Sequence, residues 1–170
     1  MVTYGEDVVV KRFLRWGSIL LVVAFVLVQV VPYGRAHDNP AVTGEPAWPS
    51  PRARELAKRA CFDCHSHETV WPWYSHVAPM SWLVQKDVVD GREHLNFSTW
   101  DRPQENADEA AGEVAQGEMP PALYLPLHPE ARLTDAEKDE LLAALRAIAP
   151  PSGGGKGGHE EREKDEPGRR

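Results

Sequence analysis

The chain has 170 residues, with 19 lysines and arginines against 26 aspartates and glutamates, so its net charge is −7. This length fits one domain with additional segments at its ends, and such an acidic chain is an improbable binder of nucleic acid. Five of the six tryptophans lie between Trp48 and Trp100. This concentration predicts one small, aromatic-rich core rather than a broad fold.

The first predicted element is an apolar helix over residues 13–31, whose 19 residues are just long enough to span a bilayer. Basic residues precede or open it: Lys11, Arg12 and Arg15. The positive-inside rule therefore places residues 1–12 in the cytoplasm and the chain after Pro32 outside. A cleaved signal peptide has the same charge order, but no small-x-small cleavage site follows the apolar run. We predict an uncleaved, single-pass anchor in the cytoplasmic membrane with a periplasmic C-terminal domain.

Residues 32–50 are rich in proline, which removes backbone donors and restricts the preceding residue, so they are predicted to form an extended linker. A domain is then predicted over residues 51–149. Ser50 and Pro51 suit the N-cap and the first position of a helix. Apolar residues at helical spacing continue this helix to Cys64.

The C-terminal end of this helix carries Cys-Phe-Asp-Cys-His at residues 61–65, with the only two cysteines of the chain. On a helix Cys61 and Cys64 share one face, so both can form thioethers to one haem. The imidazole of His65 can then reach the iron as the proximal ligand. Three alternatives remain for the cysteine pair: a thiol–disulfide couple, a structural disulfide, and half of a zinc site completed by histidines.

Aromatic residues follow the motif. The sequence Trp-Pro-Trp-Tyr at residues 71–74 is too apolar for an exposed loop and is predicted to form a wall of the haem crevice or, failing that, part of the ordinary core. Pro79 is predicted to start a second helix that ends near residues 91–94. Its apolar face is predicted to contain Trp82, Leu83 and Val89. Phe97 and Trp100 are expected in the core.

The candidate distal ligand lies further along the chain. An acidic, alanine-rich helix is predicted over residues 105–116 and is ended by Gly117. Met119 follows and is succeeded by two prolines, so it is presented in a short, rigid loop that suits an axial ligand. Met80 and His94 are the competing candidates for the sixth coordination position of the iron.

The last predicted helix opens with a capping box formed by Thr134 and Glu137 and runs to about Ala149. Residues 150–170 are glycine-rich and charged, with no apolar side chain to bury. This tail is predicted to be disordered.

From Pro32 to about Ala149 the chain resembles the bacterial haem-binding domain family related to cytochrome c. Several motifs carry the resemblance: P-Y-G-R at 32–35, C-F-D-C-H-S at 61–66, W-P-W-Y at 71–74, A-P-x-S-W at 78–82, G-R at 91–92, L-N-F-S-x-W at 95–100 and G-x-M-P-P at 117–121. The resemblance implies a mostly α, small cytochrome c-like domain, here behind an N-terminal transmembrane helix, with one covalently bound haem c.

Motif and predicted topology together indicate a membrane-anchored monohaem c-type cytochrome, an electron carrier rather than an enzyme. Cys61 and Cys64 would hold the haem, with His65 and Met119 as axial ligands. The acidic domain would suit a basic redox partner. The alternative function leaves the sixth position open, so that the protein acts on or senses peroxide or a diatomic gas.

Overall fold

The structure is a computed structural model, and it describes residues 4–149. Within this range there are helices but no strand, and the one isolated β-bridge joins Gly44 and Thr99. The prediction of a mostly α fold is therefore confirmed. The tail at residues 150–170, predicted to be disordered, lies outside the described residues, as do residues 1–3 of the predicted cytoplasmic segment.

The first helix, α1, spans Tyr4–Val28, and residues 8–27 are exposed along its whole surface. Across residues 4–149, no helix is at once long enough and apolar enough to qualify as a membrane span. The predicted span over residues 13–31 also overruns the helix, because α1 ends at Val28 and Gln29 begins a turn.

Gln29 joins the end of α1 to the rest of the fold. Its side-chain amide donates to the carbonyl oxygen of Ala78 at 2.9 Å, and its Oε1 accepts from the backbone N–H of Ala78 at 3.0 Å. This two-way pairing resembles one rung of a β-ladder. These hydrogen bonds explain why a polar residue interrupts the apolar run.

The helix α2 spans Pro51–Ala60, and the Oγ of Ser50 accepts from the backbone N–H of Ala53 at 3.0 Å, as the predicted N-cap requires. The helix does not continue to Cys64 as predicted. The backbone leaves helical geometry at Cys61, where φ is −129°, and a separate single turn, α3, spans Phe62–His65. The break redirects the second half of the cysteine motif.

A short 3₁₀ helix at Trp73–His76 precedes α4, which spans Met80–His94 close to its predicted bounds. The predicted apolar face of α4 is wrong in part, because Leu83 and Val89 are 47% and 38% exposed. The buried residues of α4 are Ser81, Val88 and Gly91. At Gly91 the absence of a side chain lets the backbone of Cys64 in α3 approach α4 closely.

The helix α5 spans Ala110–Gln116, so residues 105–109 of the predicted helix form turns instead. Gly117 ends α5 in the left-handed conformation, with φ of +81°, as its position predicts. The helix α6 spans Asp135–Ile148 and begins with the predicted capping box of Thr134 and Glu137.

The core lies where α2, α3, α5 and α6 meet. Phe62 and Phe97 stack at its centre with ring centroids 5.6 Å apart. Trp48 and Trp100 pack beside Phe97, at 5.3 and 5.8 Å. Aliphatic side chains complete it: Leu56, Leu95, Val114, Leu141, Leu142 and Leu145. Phe62, the first variable residue of the cysteine motif, is thus a buried residue of this core.

Candidate functional site

The two cysteines are free thiols with different surroundings. Cys61 packs against the apolar core, whereas Cys64 lies against α4 at Gly91. Burial raises the pKa of both thiols to about 12, and for Cys64 the carboxylates of Asp87 and Asp63 add to the effect. Because the thiolate is the nucleophile in thiol exchange, such thiols suit a redox-active pair badly.

His65 has the geometry of an oriented metal ligand. Its Nδ1 lies 2.9 Å from the carbonyl oxygen of Gly91 and 3.0 Å from that of Leu95. Carbonyl oxygens only accept, so Nδ1 carries the proton and Nε2 keeps its lone pair for a metal. Burial lowers the pKa of His65, while the two carbonyls act in the opposite direction. The ring is therefore neutral at pH 7, the form that binds iron.

Close packing of α3 on α4 supplies these carbonyls. A Cβ placed on Gly91 would lie 2.6 Å from the carbonyl oxygen of Cys64 and 3.0 Å from its Cβ, so only glycine permits the approach. The backbone N–H of Phe97 also donates to the carbonyl oxygen of His65, at 2.8 Å. The ligand is thus held by its ring and by its backbone.

Asp63, between the two cysteines, organises the other side of α3. Its Oδ1 accepts from the backbone N–H of Val70 at 2.9 Å, and its Oδ2 accepts from the hydroxyl of Tyr124 at 2.6 Å. Its carbonyl oxygen accepts from the hydroxyl of Thr69 at 2.8 Å. The second variable position of the motif therefore fastens the following loop and a distant tyrosine to α3.

Tyr124 continues into a network that the sequence did not reveal. Its ring lies flat on His128, with centroids 3.8 Å apart, and His128 Nε2 is 2.6 Å from the hydroxyl of Tyr74. Burial, together with the hydrogen bond to Asp63, raises the pKa of Tyr124. No periodicity or motif links residues 61 positions apart, so these partners carry no sequence signal beyond being aromatic.

Arg92 fastens the segment before α2 to α4. Its Nε donates to the carbonyl oxygen of Ser66 at 2.7 Å, and its Nη1 donates to that of Asp38 at 2.9 Å. Its Nη2 donates to Asn39 Oδ1 at 2.9 Å and to Thr69 Oγ1 at 3.0 Å. The arginine of the Gly-Arg motif thus ties three stretches of chain around the histidine-bearing turn.

Met119 is half-buried and borders the same apolar core as Cys61. Its backbone N–H donates to the carbonyl oxygen of Glu113 at 3.3 Å. With Val114 and Leu133 it lines a cavity of about 290 Å³ between α5 and α6. The structure therefore brings the first cysteine and the predicted distal ligand to one core, with open volume beside the methionine.

The competing ligands are placed less favourably. Met80 is 38% exposed at the first position of α4, and His94 is exposed with its Nδ1 2.8 Å from the carbonyl oxygen of Asp90 in its own helix. The ring of His67 lies 3.0 Å from both Ala41 O and Asn96 Nδ2. Residues 4–149 contain no group of three or more histidine, cysteine or acidic side chains arranged for a metal ion, so the zinc alternative gains no support.

The aromatic side chains of residues 71–74 differ in their contacts and exposure. Trp71 stacks on His37 with ring centroids 4.6 Å apart, and Tyr74 joins the network of His128. Trp73 is 79% exposed. The prediction that this segment is too apolar to be exposed is wrong for Trp73, the first residue of the 3₁₀ helix.

The donor set of residues 61–65 fits a haem, because two thiols three residues apart accompany a neutral imidazole whose free nitrogen is Nε2. The family model of a haem-binding domain matches residues 23–147, from within α1 to nearly the end of α6. The chain belongs to this haem-binding domain family, and the protein is a haem protein. No curated protein and no solved structure shows significant similarity to it.

Proposed function

We propose that the protein is a membrane-anchored c-type cytochrome that holds one covalent haem and carries single electrons on the outer face of the cytoplasmic membrane. The thiols of Cys61 and Cys64 form the thioethers, and His65 Nε2 is the proximal ligand. The bound haem supplies the one-electron couple. The rest of the chain orients these three groups.

The observation that carries the proposal is the hydrogen bonding of His65. The carbonyl oxygens of Gly91 in α4 and of Leu95 just after it accept from the Nδ1–H, at 2.9 and 3.0 Å, and thereby set both the tautomer and the ring orientation. Hydrogen bonds from the second ring nitrogen to a carbonyl oxygen raise the basicity of a histidine ligand and are typical of metal-bound histidines. A histidine that served only to support the core would not need its Nε2 to be free of protein hydrogen bonds.

Met119 is the proposed distal ligand. Its position at the edge of the core that Cys61 also borders supports this role. A thioether ligand raises the reduction potential relative to a second histidine, which suits an electron carrier. The cavity of about 290 Å³ beside Met119 favours a second candidate, in which the sixth position takes peroxide or a diatomic gas.

The anchor is proposed to be α1, with the N-terminus inside. Its apolar side chains are exposed over residues 8–27 and would otherwise meet water. Lys11, Arg12 and Arg15 favour the cytoplasmic side. A short apolar helix can be accommodated by snorkelling of such flanking basic side chains. The net charge of −7 favours a basic redox partner.

The test is production of the full-length chain in bacteria with an active cytochrome c maturation system. We expect a haem that stays with the chain on a denaturing gel, a c-type pyridine haemochrome spectrum, and a mass increment of one haem. Carbonate-washed membranes should retain it. His65→Ala should lose the low-spin spectrum, whereas the control His94→Ala should keep it. Chain made in this way with free thiols and no haem increment would refute the proposal.

A further inference from the structure

The end of α1 is joined to one segment of the domain by several contacts. The side-chain amide of Gln29 pairs with the backbone of Ala78 in both directions, at 2.9 and 3.0 Å. The guanidinium of Arg35 donates to Gln29 Oε1 at 2.9 Å. Gly34 lies so close to α4 that a Cβ on it would collide with the carbonyl oxygen of Ser81. The place where α1 leaves the domain is therefore fixed by the fold.

The segment that contacts the end of α1 carries no formal charge. Residues 69–85, with Ala78 near their middle, contain no aspartate, glutamate, lysine or arginine, although 26% of the chain is charged. Residues 16–34 contain none either. Along α4 the first charged residue is Lys86, six residues after Met80, which corresponds to about 9 Å of helix axis. This length matches the depth of about 5–10 Å to which amphipathic surfaces enter the boundary between lipid headgroups and acyl chains.

Large apolar and aromatic side chains close to this contact are exposed. Tyr33 is 52% exposed and Leu83 is 47% exposed. Together with three others, each within five residues of Gln29 or Ala78, they form the exit face: Val30, Val31, Tyr33, Met80 and Leu83. Exposed apolar surfaces mark interaction sites, and tyrosine is enriched where proteins meet the bilayer boundary.

The course of α1 identifies what covers the exit face. Residues 8–27 are exposed along the whole helix, so α1 projects from the domain instead of packing on it. A bilayer that contains α1 begins where the helix ends, and the exit face lies there. We propose that the exit face rests on the bilayer, with Tyr33, Met80 and Leu83 at the boundary between headgroups and acyl chains. This inference rests on the proposed insertion of α1 in the membrane.

This orientation leaves the charged half of α4 in water and sets the distance of the cysteine motif from the lipid. Gly91, which contacts Cys64, follows Met80 by eleven residues, or about 16 Å along the axis of α4. The haem of the proposed function is then held at one distance from the bilayer, which suits electron exchange with a donor in the membrane.

The test uses the full-length holoprotein in vesicles of phosphatidylcholine and phosphatidylglycerol, with a bimane fluorophore on the new thiol of Leu83→Cys. In the holoprotein Cys61 and Cys64 are thioethers and do not take the label. Replacing the acyl chains by brominated ones should lower the emission about twofold, because bromine quenches only fluorophores that reach the acyl chains. Met80→Cys provides a second labelled position if Leu83→Cys does not fold.

Two further positions are the controls. Glu93→Cys is exposed on the same helix but lies beyond the uncharged segment, so brominated lipids should leave its emission unchanged. Leu21→Cys lies within α1 and should be quenched whenever α1 is inserted. Each variant is first checked for an unchanged c-type haemochrome.

Unquenched label at Leu83 and Met80, together with quenched label at Leu21, would overturn the inference and leave the anchor intact. If the labels at Leu83 and Met80 are unquenched by brominated lipid but are shielded from iodide in native membranes, another protein covers the exit face and the inference fails. Equal quenching at Glu93 would also overturn it, since the charged half of α4 would then lie in lipid. Unquenched label at Leu21 would instead refute the anchor of the proposed function, so the two failures are distinguishable.

Discussion

The two predicted iron ligands are held in different ways. His65 lies on α3, packed against α4 at the distance that Gly91 allows, and two carbonyl oxygens hold its ring. Met119 lies in the loop after α5, with one backbone hydrogen bond of 3.3 Å and a cavity of about 290 Å³ beside its side chain. One ligand is preorganised by the backbone, whereas the other has room to move.

This difference assigns separate tasks to the two sides. A side chain that is already held in its binding position lowers the cost of binding haem, because little ordering remains when the haem arrives. A flexible thioether fills irregular space and adapts to what it contacts. We expect the histidine side to determine whether haem is held, and the methionine side to determine how it reacts. Each prediction below tests one half of this division.

The largest effect is expected from Gly91→Ala. The new Cβ would lie 2.6 Å from Cys64 O and 3.0 Å from Cys64 C, and these are backbone atoms that cannot turn aside. Overpacking of this kind costs about 1–3 kcal/mol. Because Cys64 and the carbonyls that bind His65 would be displaced, covalent haem content should fall with stability. Haemochrome yield per chain and urea unfolding measure the two effects.

The matched control is Gly112→Ala on α5, where the nearest atom to a new Cβ is the flexible Gln116 Nε2 at 3.7 Å. This change should stabilise the protein by about 0.5–1 kcal/mol, since alanine favours a helix interior. Haem content should not change. Equal behaviour of the two variants would contradict the view that contact at Gly91 positions the cysteine motif.

Met119→Ala is expected to have a smaller effect on stability, but a larger one on the reduction potential and on gas binding. Loss of a half-buried side chain next to an existing cavity should cost about 1–2 kcal/mol. Haem content should persist, because His65 and the thioethers remain. The reduction potential should fall, and ferrous protein should bind carbon monoxide at once.

Met80→Ala serves as the control for Met119, since Met80 is 38% exposed at the start of α4. It should leave spectrum, potential and gas binding unaltered. Rapid carbon monoxide binding by the unaltered protein would favour the open sixth site. In that case Met119→Ala should change neither spectrum nor potential.

Sequence patterns predicted the elements that depend on local chemistry. The N-cap of α2, the left-handed Gly117 and the capping box at Thr134 are all as expected, because each depends on residues within one turn. The break at Cys61 and the buried residues of α4 were not foreseeable. Gly91, for example, lies against Cys64 of α3, and no single-helix periodicity encodes such a contact between helices.

The site divides in the same way. Spacing alone identified Cys61, Cys64 and His65 as candidates, whereas the groups that orient His65 are backbone carbonyls and leave no mark in residue type. The partner of Asp63 is Tyr124, in a loop with no recognisable motif. The resemblance marked Arg35 and Arg92 by position, but only their contacts indicate what each one holds.

The smallest expected effect tests how α6 is joined to α2. Glu137 of α6 accepts from Arg52 Nη2 at 2.6 Å and from Arg59 Nη1 at 2.7 Å, both on α2. The hydrogen bond from Arg59, then that from the backbone of Thr134, holds the pKa of Glu137 at about 2, below its ordinary value of 4.5. A carboxylate with a lowered folded-state pKa stabilises the fold above pH 4.5, and that contribution is lost as the pH falls towards 2.

Glu137→Gln should therefore be slightly less stable at pH 7 but lose less stability on acidification. Urea unfolding at pH 7, 4 and 3 measures this, with the exposed Glu140→Gln as control. Parallel pH curves for Glu137→Gln and the wild type would show that this carboxylate does not join α6 to α2, and that the core alone holds the methionine loop near the cysteine motif.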